Sequence, residues 1–195
     1  MQKKIYIYIL SLCAAFVLSF AGGQEAKAQQ VGVKTNALMW ALATPNLGCE
    51  VVVGENYSVD FSAFGHYKPY GLQSEVIAFQ PEFRYWFNGR PMAREYVGLS
   101  LMVADYDMKI NNSSVGGKYV YDGNAASLGI TGGYAFILSK HWRFELCGGF
   151  SFLVFKQKQY YETDDYYVDP TIPANSTGYK LFPAKLGVSF TYIIK

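Results

Sequence analysis

From Ile77 to Phe87 two series of residues alternate. Ile77, Phe79, Pro81, Phe83, Tyr85 and Phe87 are apolar or aromatic, and Ala78, Gln80, Glu82, Arg84 and Trp86 fall between them. A period of two puts the series on opposite faces of a β-strand. The alternation recurs along the chain and predicts eight strands: Val31 to Ala43, Leu47 to Val53, Ser58 to Gly65, Val76 to Phe87, Tyr96 to Asp107, Ala125 to Leu138, Trp142 to Phe155 and Tyr179 to Ile194. No segment after residue 28 carries a convincing helical period. Pro81 lacks a ladder donor, which predicts a bulge or an interrupted ladder at that point.

The strands alternate in concert. One face collects Phe61, Phe83, Leu99, Leu101, Leu128, Ile130, Phe150, Phe152, Phe182, Leu186 and Phe190. The other collects Asp60, Gln80, Ser100, Ser127, Thr131, Ser151 and Ser189, with Gly98, Gly129, Gly149 and Gly187. Connections at 54–57, 88–95 and 139–141 are short, and those at 66–75, 108–124 and 156–178 are longer. Short turns at one end and longer loops at the other form the pattern of bacterial outer-membrane barrels. Thr44-Pro45-Asn46, a tight turn on the long-loop side, is the exception. The fold class read from these features is all-β: an antiparallel up-and-down β-barrel of about eight strands, of the small outer-membrane (OmpA/OmpX-like) kind.

Glycine and serine suit the crowded interior of so narrow a barrel, and glycine on an exposed strand face only weakens it. Tyr85, Trp86, Phe87, Trp142, Tyr160 and Tyr161 lie near strand ends, where aromatic girdles form. The apolar face is therefore expected to meet lipid and the polar face to line the lumen. The alternative is a soluble lipocalin-like barrel that binds a lipid or glycan with its faces reversed. Its outer face would be poor in Lys and Glu for a soluble surface.

Composition adds a location. Lys3 and Lys4, the apolar run Ile5 to Phe20 and Ala26-Lys27-Ala28 read as a signal peptide over 1–28, cleaved near Ala28, ahead of one outer-membrane domain over 29–195. Of 17 basic and 15 acidic side chains, the leader holds Lys3, Lys4, Lys27 and Glu25, so the remainder is neutral. Without a basic patch, no nucleic-acid partner is expected. Cys49 and Cys147 fall on opposite faces and are expected to be free thiols. No cluster has metal-ligand spacing, so neither metal nor cofactor is expected.

Eight charges fall on the polar face: Lys34, Arg84, Arg143 and Lys185 against Glu50, Asp60, Glu82 and Glu145. Four of each sign predict a salt-bridged, closed lumen, because an unpaired buried charge costs several kcal/mol. Lys185, Gly187, Phe190 and Tyr192 are similar to the C-terminal signal that barrel-assembly machinery reads. The expected partners are that machinery, outer-membrane lipid, and a glycan or protein at the surface loops 108–124 and 156–178. Tyrosines and carboxylates between Tyr160 and Asp169 suit a sugar or calcium ion, but EF-hand spacing is absent, and a solvated loop with girdle tyrosines at its base is the favoured reading. The histidines are His66 and His141. No Ser or acid partner can be placed for His66, so no catalytic residue is expected. The less favoured alternative is a lipid-modifying barrel enzyme acting through His66.

Several words of the sequence carry a resemblance. Val33-Lys34-Thr35-Asn36-Ala37-Leu38, Thr44-Pro45-Asn46-Leu47-Gly48-Cys49-Glu50, Gln80-Pro81-Glu82-Phe83-Arg84-Tyr85-Trp86-Phe87, Ile137-Leu138-Ser139-Lys140-His141-Trp142-Arg143-Phe144-Glu145 and the tail from Lys185 resemble a bacterial family of unknown function (DUF3575). The resemblance implies an outer-membrane-barrel-like fold in a diderm bacterium. It implies no catalytic residues. Some relatives carry a further peptidoglycan-binding domain, and the resemblance does not extend to that activity.

Overall fold

The computed structural model describes residues 30–112, 117–161 and 175–194. The expected signal peptide over 1–28 and the acidic run 162–169 lie outside them. Eight strands form one closed antiparallel barrel in chain order: β1 (Val31–Asn36), β2 (Asn46–Val52), β3 (Tyr57–Tyr67), β4 (Ser74–Trp86), β5 (Arg94–Asn112), β6 (Gly117–Ile137), β7 (Trp142–Tyr161) and β8 (Ser176–Ile193). β1 pairs with both β2 and β8 and closes the ring. The all-β, up-and-down, eight-stranded expectation holds.

Three local features differ from the sequence reading. The first strand ends at Asn36, and a short helix α1 (Ala37–Ala41) follows. Asn36 is extended, and its Oδ1 accepts the Leu38 N–H at 3.0 Å, which is an N-cap. The same amide donates to Leu186 O and accepts from Val188 N–H, both at 3.2 Å, and so extends the β1–β8 seam by one side chain. Across the hairpin, Asn46 accepts from Asn36 N–H at 2.6 Å and donates to Asn36 O at 3.0 Å, standing in for a ladder pair.

The second difference is strand length. The β5–β6 ladder runs out to Asn112 opposite Gly117, and β7 reaches Tyr161. The expected loop 108–124 is thus largely strand, and 156–178 begins and ends in strand, at 156–161 and 176–178. The third concerns the prolines. β4 meets β5 at Phe79–Val103 and again at Glu82–Ser100, with no pairing at Gln80 and Pro81 and no change of register. The predicted interruption is present without a bulge, as expected where the missing N–H faces β5. The bulge lies in β8 instead: Gly149 faces Lys185 and Phe150 faces Pro183, which leaves Ala184 extra. It shifts the alternation, so Leu181 and Tyr179 pair with outward Phe152 and Val154. Phe182, expected in the apolar series, pairs with inward Ser151.

The outer wall is an apolar band. On β7 it runs from Trp142 through Leu146, Phe150 and Phe152 to Val154, all exposed. At about 3.3 Å per residue and a tilt of about 40°, that is about 30 Å along the barrel axis. Polar residues follow abruptly: Lys156 and Lys158 on β7, Asp105 and Asp107 beyond Val103 on β5, and Asn124 and Asp122 beyond Leu128 on β6. At the short-turn end the band carries rings in contact, Tyr134 on Phe136 at 4.5 Å and Trp142 on Tyr192 at 5.1 Å. Trp86, expected in that girdle, faces inward and is fully buried.

Candidate functional site

Alternation decides which side chains point into the lumen, and register decides the level at which they meet. Asp60 is paired with Glu82, Glu50 with Asp60, and Ser58 with Arg84. Like charges thus sit opposite one another on β2, β3 and β4, an arrangement that is destabilising unless cations lie between them. Arg84 is that cation. Its Nη1 lies 2.8 Å from Glu50 Oε2 and 3.0 Å from Glu145 Oε2, its Nη2 2.7 Å from Asp60 Oδ2, and its Nε 3.2 Å from Glu82 Oε1. Lys34 lies 2.9 Å from both Glu50 and Glu145, and Lys185 lies 2.6 Å from Glu82 and 3.0 Å from Asp60.

Seven of the eight expected charges therefore converge, and the eighth does not. Arg143 sits lower, at the short-turn rim. It donates to Ser139 O at 2.6 Å, Trp142 O at 3.1 Å and Met92 O at 3.2 Å. The expected balance of four against four becomes four carboxylates against three cations. Neutral donors meet the excess: Ser58 to Glu50 at 2.7 Å, Thr131 to Glu82 at 2.7 Å, Tyr96 to Glu145 at 3.0 Å and Ser62 to Asp60 at 3.4 Å. Both oxygens of every carboxylate are thereby satisfied. A satisfied buried network adds little net stability, but losing one partner costs about 3–5 kcal/mol. Among the described residues no set of three His, Cys, Asp or Glu side chains is placed to hold a metal ion.

Below the network the lumen is plugged. Trp86 Nε1 donates to Ser58 Oγ at 2.8 Å, and its ring packs on Tyr96 at 4.7 Å. The Arg84 guanidinium lies 4.4 Å from the Tyr96 ring centre, within cation–π range. Met92 and Ala93 of the β4–β5 turn fold in beneath and are buried. Gly98 is required here, because a Cβ would lie 2.5 Å from Glu82 Oε1 and Thr131 Oγ1.

The C-terminal motif divides by face. Lys185 joins the network, and a Cβ on Gly187 would lie 2.7 Å from Cys147 Sγ. Phe190 and Tyr192 pack outside on Phe144 and Trp142. Cys49 and Cys147 are both free. His141 sits at the rim, its Nδ1 3.1 Å from Ile193 O.

The structure supplies a serine partner for His66 that sequence reading did not place. Ser74 Oγ lies 3.0 Å from Nε2, and Thr44 Oγ1 lies 3.3 Å from Nδ1. Thr44 donates its proton to Leu42 O, so it accepts from Nδ1–H and leaves Nε2 to accept from Ser74. Ser74 lies two residues before Val76, the register partner of His66, and so reaches the histidine diagonally across one strand-to-strand turn. Among the described residues no carboxylate hydrogen-bonds this histidine, so the orienting acid of a hydrolytic triad is missing.

A family described as protein of unknown function (DUF3575) matches residues 14–194. No curated protein and no solved structure matches the chain.

Proposed function

This chain belongs to that family of unknown function, and from that premise we propose that it is a small outer-membrane β-barrel with a closed lumen. Its role is envelope structure and surface interaction rather than catalysis. The observation that carries this reading is the inverted distribution of polarity. Seven charged side chains are buried in the centre, while Leu99, Leu101, Leu128, Ile130, Phe150 and Phe152 stand exposed around the wall. In water that wall would be an apolar patch far larger than soluble monomers carry. In lipid it is the expected outer surface, and its height of about 30 Å matches a hydrocarbon core. The same polarity argues against the lipocalin-like alternative, which needs its apolar face inside.

The partners on this reading are outer-membrane lipid around the band, the barrel-assembly machinery at the β8 tail, and a glycan or protein at the outer tips. Those tips are strand extensions over most of 108–124, so a surface ligand would meet a rigid ladder there. The test is membrane fractionation with semi-native electrophoresis. The protein is expected in the outer-membrane fraction, resistant to carbonate extraction, with a folded band that shifts on boiling. Recovery in the soluble periplasmic fraction would overturn the proposal. Planar bilayers should show no large stable conductance.

A further inference from the structure

The lumen changes character above the charged network. One row of inward positions, joined in register from β3 to β8, reads Phe64, Ala78, Ala104, Ala125, Phe155 and Gly178. It holds no charge and no hydrogen-bonding side chain. An eight-stranded barrel is just wide enough to be filled by ordinary side chains, so three successive alanines fill this level sparsely; Ala78 and Ala125 are themselves buried. Ala104 and Phe155 are only half-buried. The row beyond it is polar again, with Tyr106 donating to Gln157 at 2.6 Å. On the inner side, Lys180 is exposed, and its ammonium lies 5.4 Å from the Phe155 ring centre. Among the described residues it makes no salt bridge.

The wall is low beside this row. β1 and β2 are 6 and 7 residues long, while β5 to β8 are 19, 21, 20 and 18. β1 pairs with β8 only over Gly32–Asn36. Beyond the Asn36 side chain, among the described residues, β8 out to Ser176 is laddered to β7 alone. The gap has α1 as its sill, with Trp40 and Leu42 exposed, and β8 as one jamb, with Tyr179 and Leu181 exposed. The two ends of the alanine row flank it: Phe64 pairs with Asn46, the first residue of β2, and Gly178 stands on the unpaired edge of β8.

We infer that this gap is a lateral portal, and that one acyl chain of an anionic lipid passes from the surrounding leaflet over α1, which packs against β8, and along the β8 edge that β1 does not reach, to lie against Ala78, Ala104 and Ala125. The inference rests on the membrane reading above. A slender chain without hydrogen-bonding groups matches a row that offers none. The gap opens at the height of the apolar band, which makes the leaflet the source. The Lys180 ammonium, which pairs with no carboxylate among the described residues, complements an anionic headgroup.

The test refolds the protein into phosphatidylcholine vesicles that carry phosphatidylglycerol spin-labelled near the end of one acyl chain. Electron paramagnetic resonance should show a strongly immobilised chain, at one per barrel, beyond the lipid that coats the wall. Ala104→Trp fills the row and should abolish that component while the folded band still shifts on boiling. Lys180→Ala, an exposed change that leaves the ladder intact, should retain the immobilised chain and lose its preference for phosphatidylglycerol over labelled phosphatidylcholine. If the Trp variant does not fold, the headgroup preference decides. A spectrum identical in wild type and Ala104→Trp, or no headgroup preference in wild type, overturns the portal. So does immobilisation only of a labelled fatty acid added from water. Failure of the wild type to float with the vesicles sinks the membrane reading itself, whereas flotation without the immobilised chain sinks only the portal.

Discussion

The inner and outer halves of this barrel share the same eight strands but are filled differently. The inner half holds Trp86, Arg84, Tyr96, Glu145 and Lys34, all buried, with a hydrogen-bond partner for every carboxylate oxygen. The outer half, at the level of Ala78, Ala104 and Ala125, holds three alanines between Phe64 and Phe155, apolar side chains with nothing to satisfy. The wall follows the contents. All eight strands enclose the inner half, while β1 and β2 stop short of the outer half. Specific polar packing and complete ladders go together, and the half that tolerates an incomplete wall has no buried charge to shield.

That contrast is tested most severely at Arg84. Arg84→Ala removes the cation between all four carboxylates and leaves them with two lysines. It is expected to cost about 3–5 kcal/mol or more, read as loss of the heat-modifiable folded form or a fall in the urea midpoint. Trp86→Ala opens the plug, removes the donor to Ser58 Oγ and should cost about 3–5 kcal/mol in the same assay. A sharper comparison sets Gly98→Ala against Ala104→Leu. The first adds one methyl in the inner half, 2.5 Å from Glu82 and Thr131, and should cost about 1–3 kcal/mol. The second adds more volume in the outer half and should stay within about 1 kcal/mol. Equal penalties would remove the distinction between the halves. Glu145→Gln brings the buried carboxylates to three against three cations and should be milder than Arg84→Ala, because every cation keeps a charged partner.

The smallest effect is expected beyond the apolar band. Burial pushes the Asp107 carboxyl up, Lys109 partly opposes this, and Oδ1 lacks a partner. Glu75 and Asp122 lie in register on either side. A raised carboxyl means that ionisation destabilises the folded state. The cost appears as pH rises past the unfolded value near 3.9 and is complete above the folded one. Asp107→Asn should therefore raise the thermal midpoint by about 1 °C at neutral pH and not at about pH 3, measured by heat-modifiability against temperature.

Much of this contrast was legible in the alternation, because face is a local property. Glu82, Arg84, Glu145 and Lys185 could be assigned inward from period two alone. Height along the axis is not local. Arg143 has the parity of Glu145 but lies nearer the rim, and only the pairing of β7 with its neighbours separates them. Trp86 looked like a girdle residue because it sits at a strand end; its parity already pointed inward, and that signal was the better one. The helix α1 escaped because five residues carry no period, though Asn36 ahead of Ala37 and Leu38 is an N-cap signature. Phe182 was misplaced because a bulge beside Pro183 changes parity, and no alternation rule anticipates an extra residue. The alanine row needs register across six strands and cannot be seen in any one of them.

The central claim is that the apolar face meets lipid and the polar face meets the lumen. Phe150 and Ser151 test it most directly, being consecutive residues on opposite faces of β7. With Cys49 and Cys147 replaced by alanine, a nitroxide is attached at Cys in Phe150→Cys or in Ser151→Cys, in vesicles, and its relaxation by oxygen and by a water-soluble nickel chelate is measured. The expected result is strong oxygen relaxation at position 150 and little relaxation by either reagent at 151. Strong relaxation by the nickel chelate at position 150 would contradict the account.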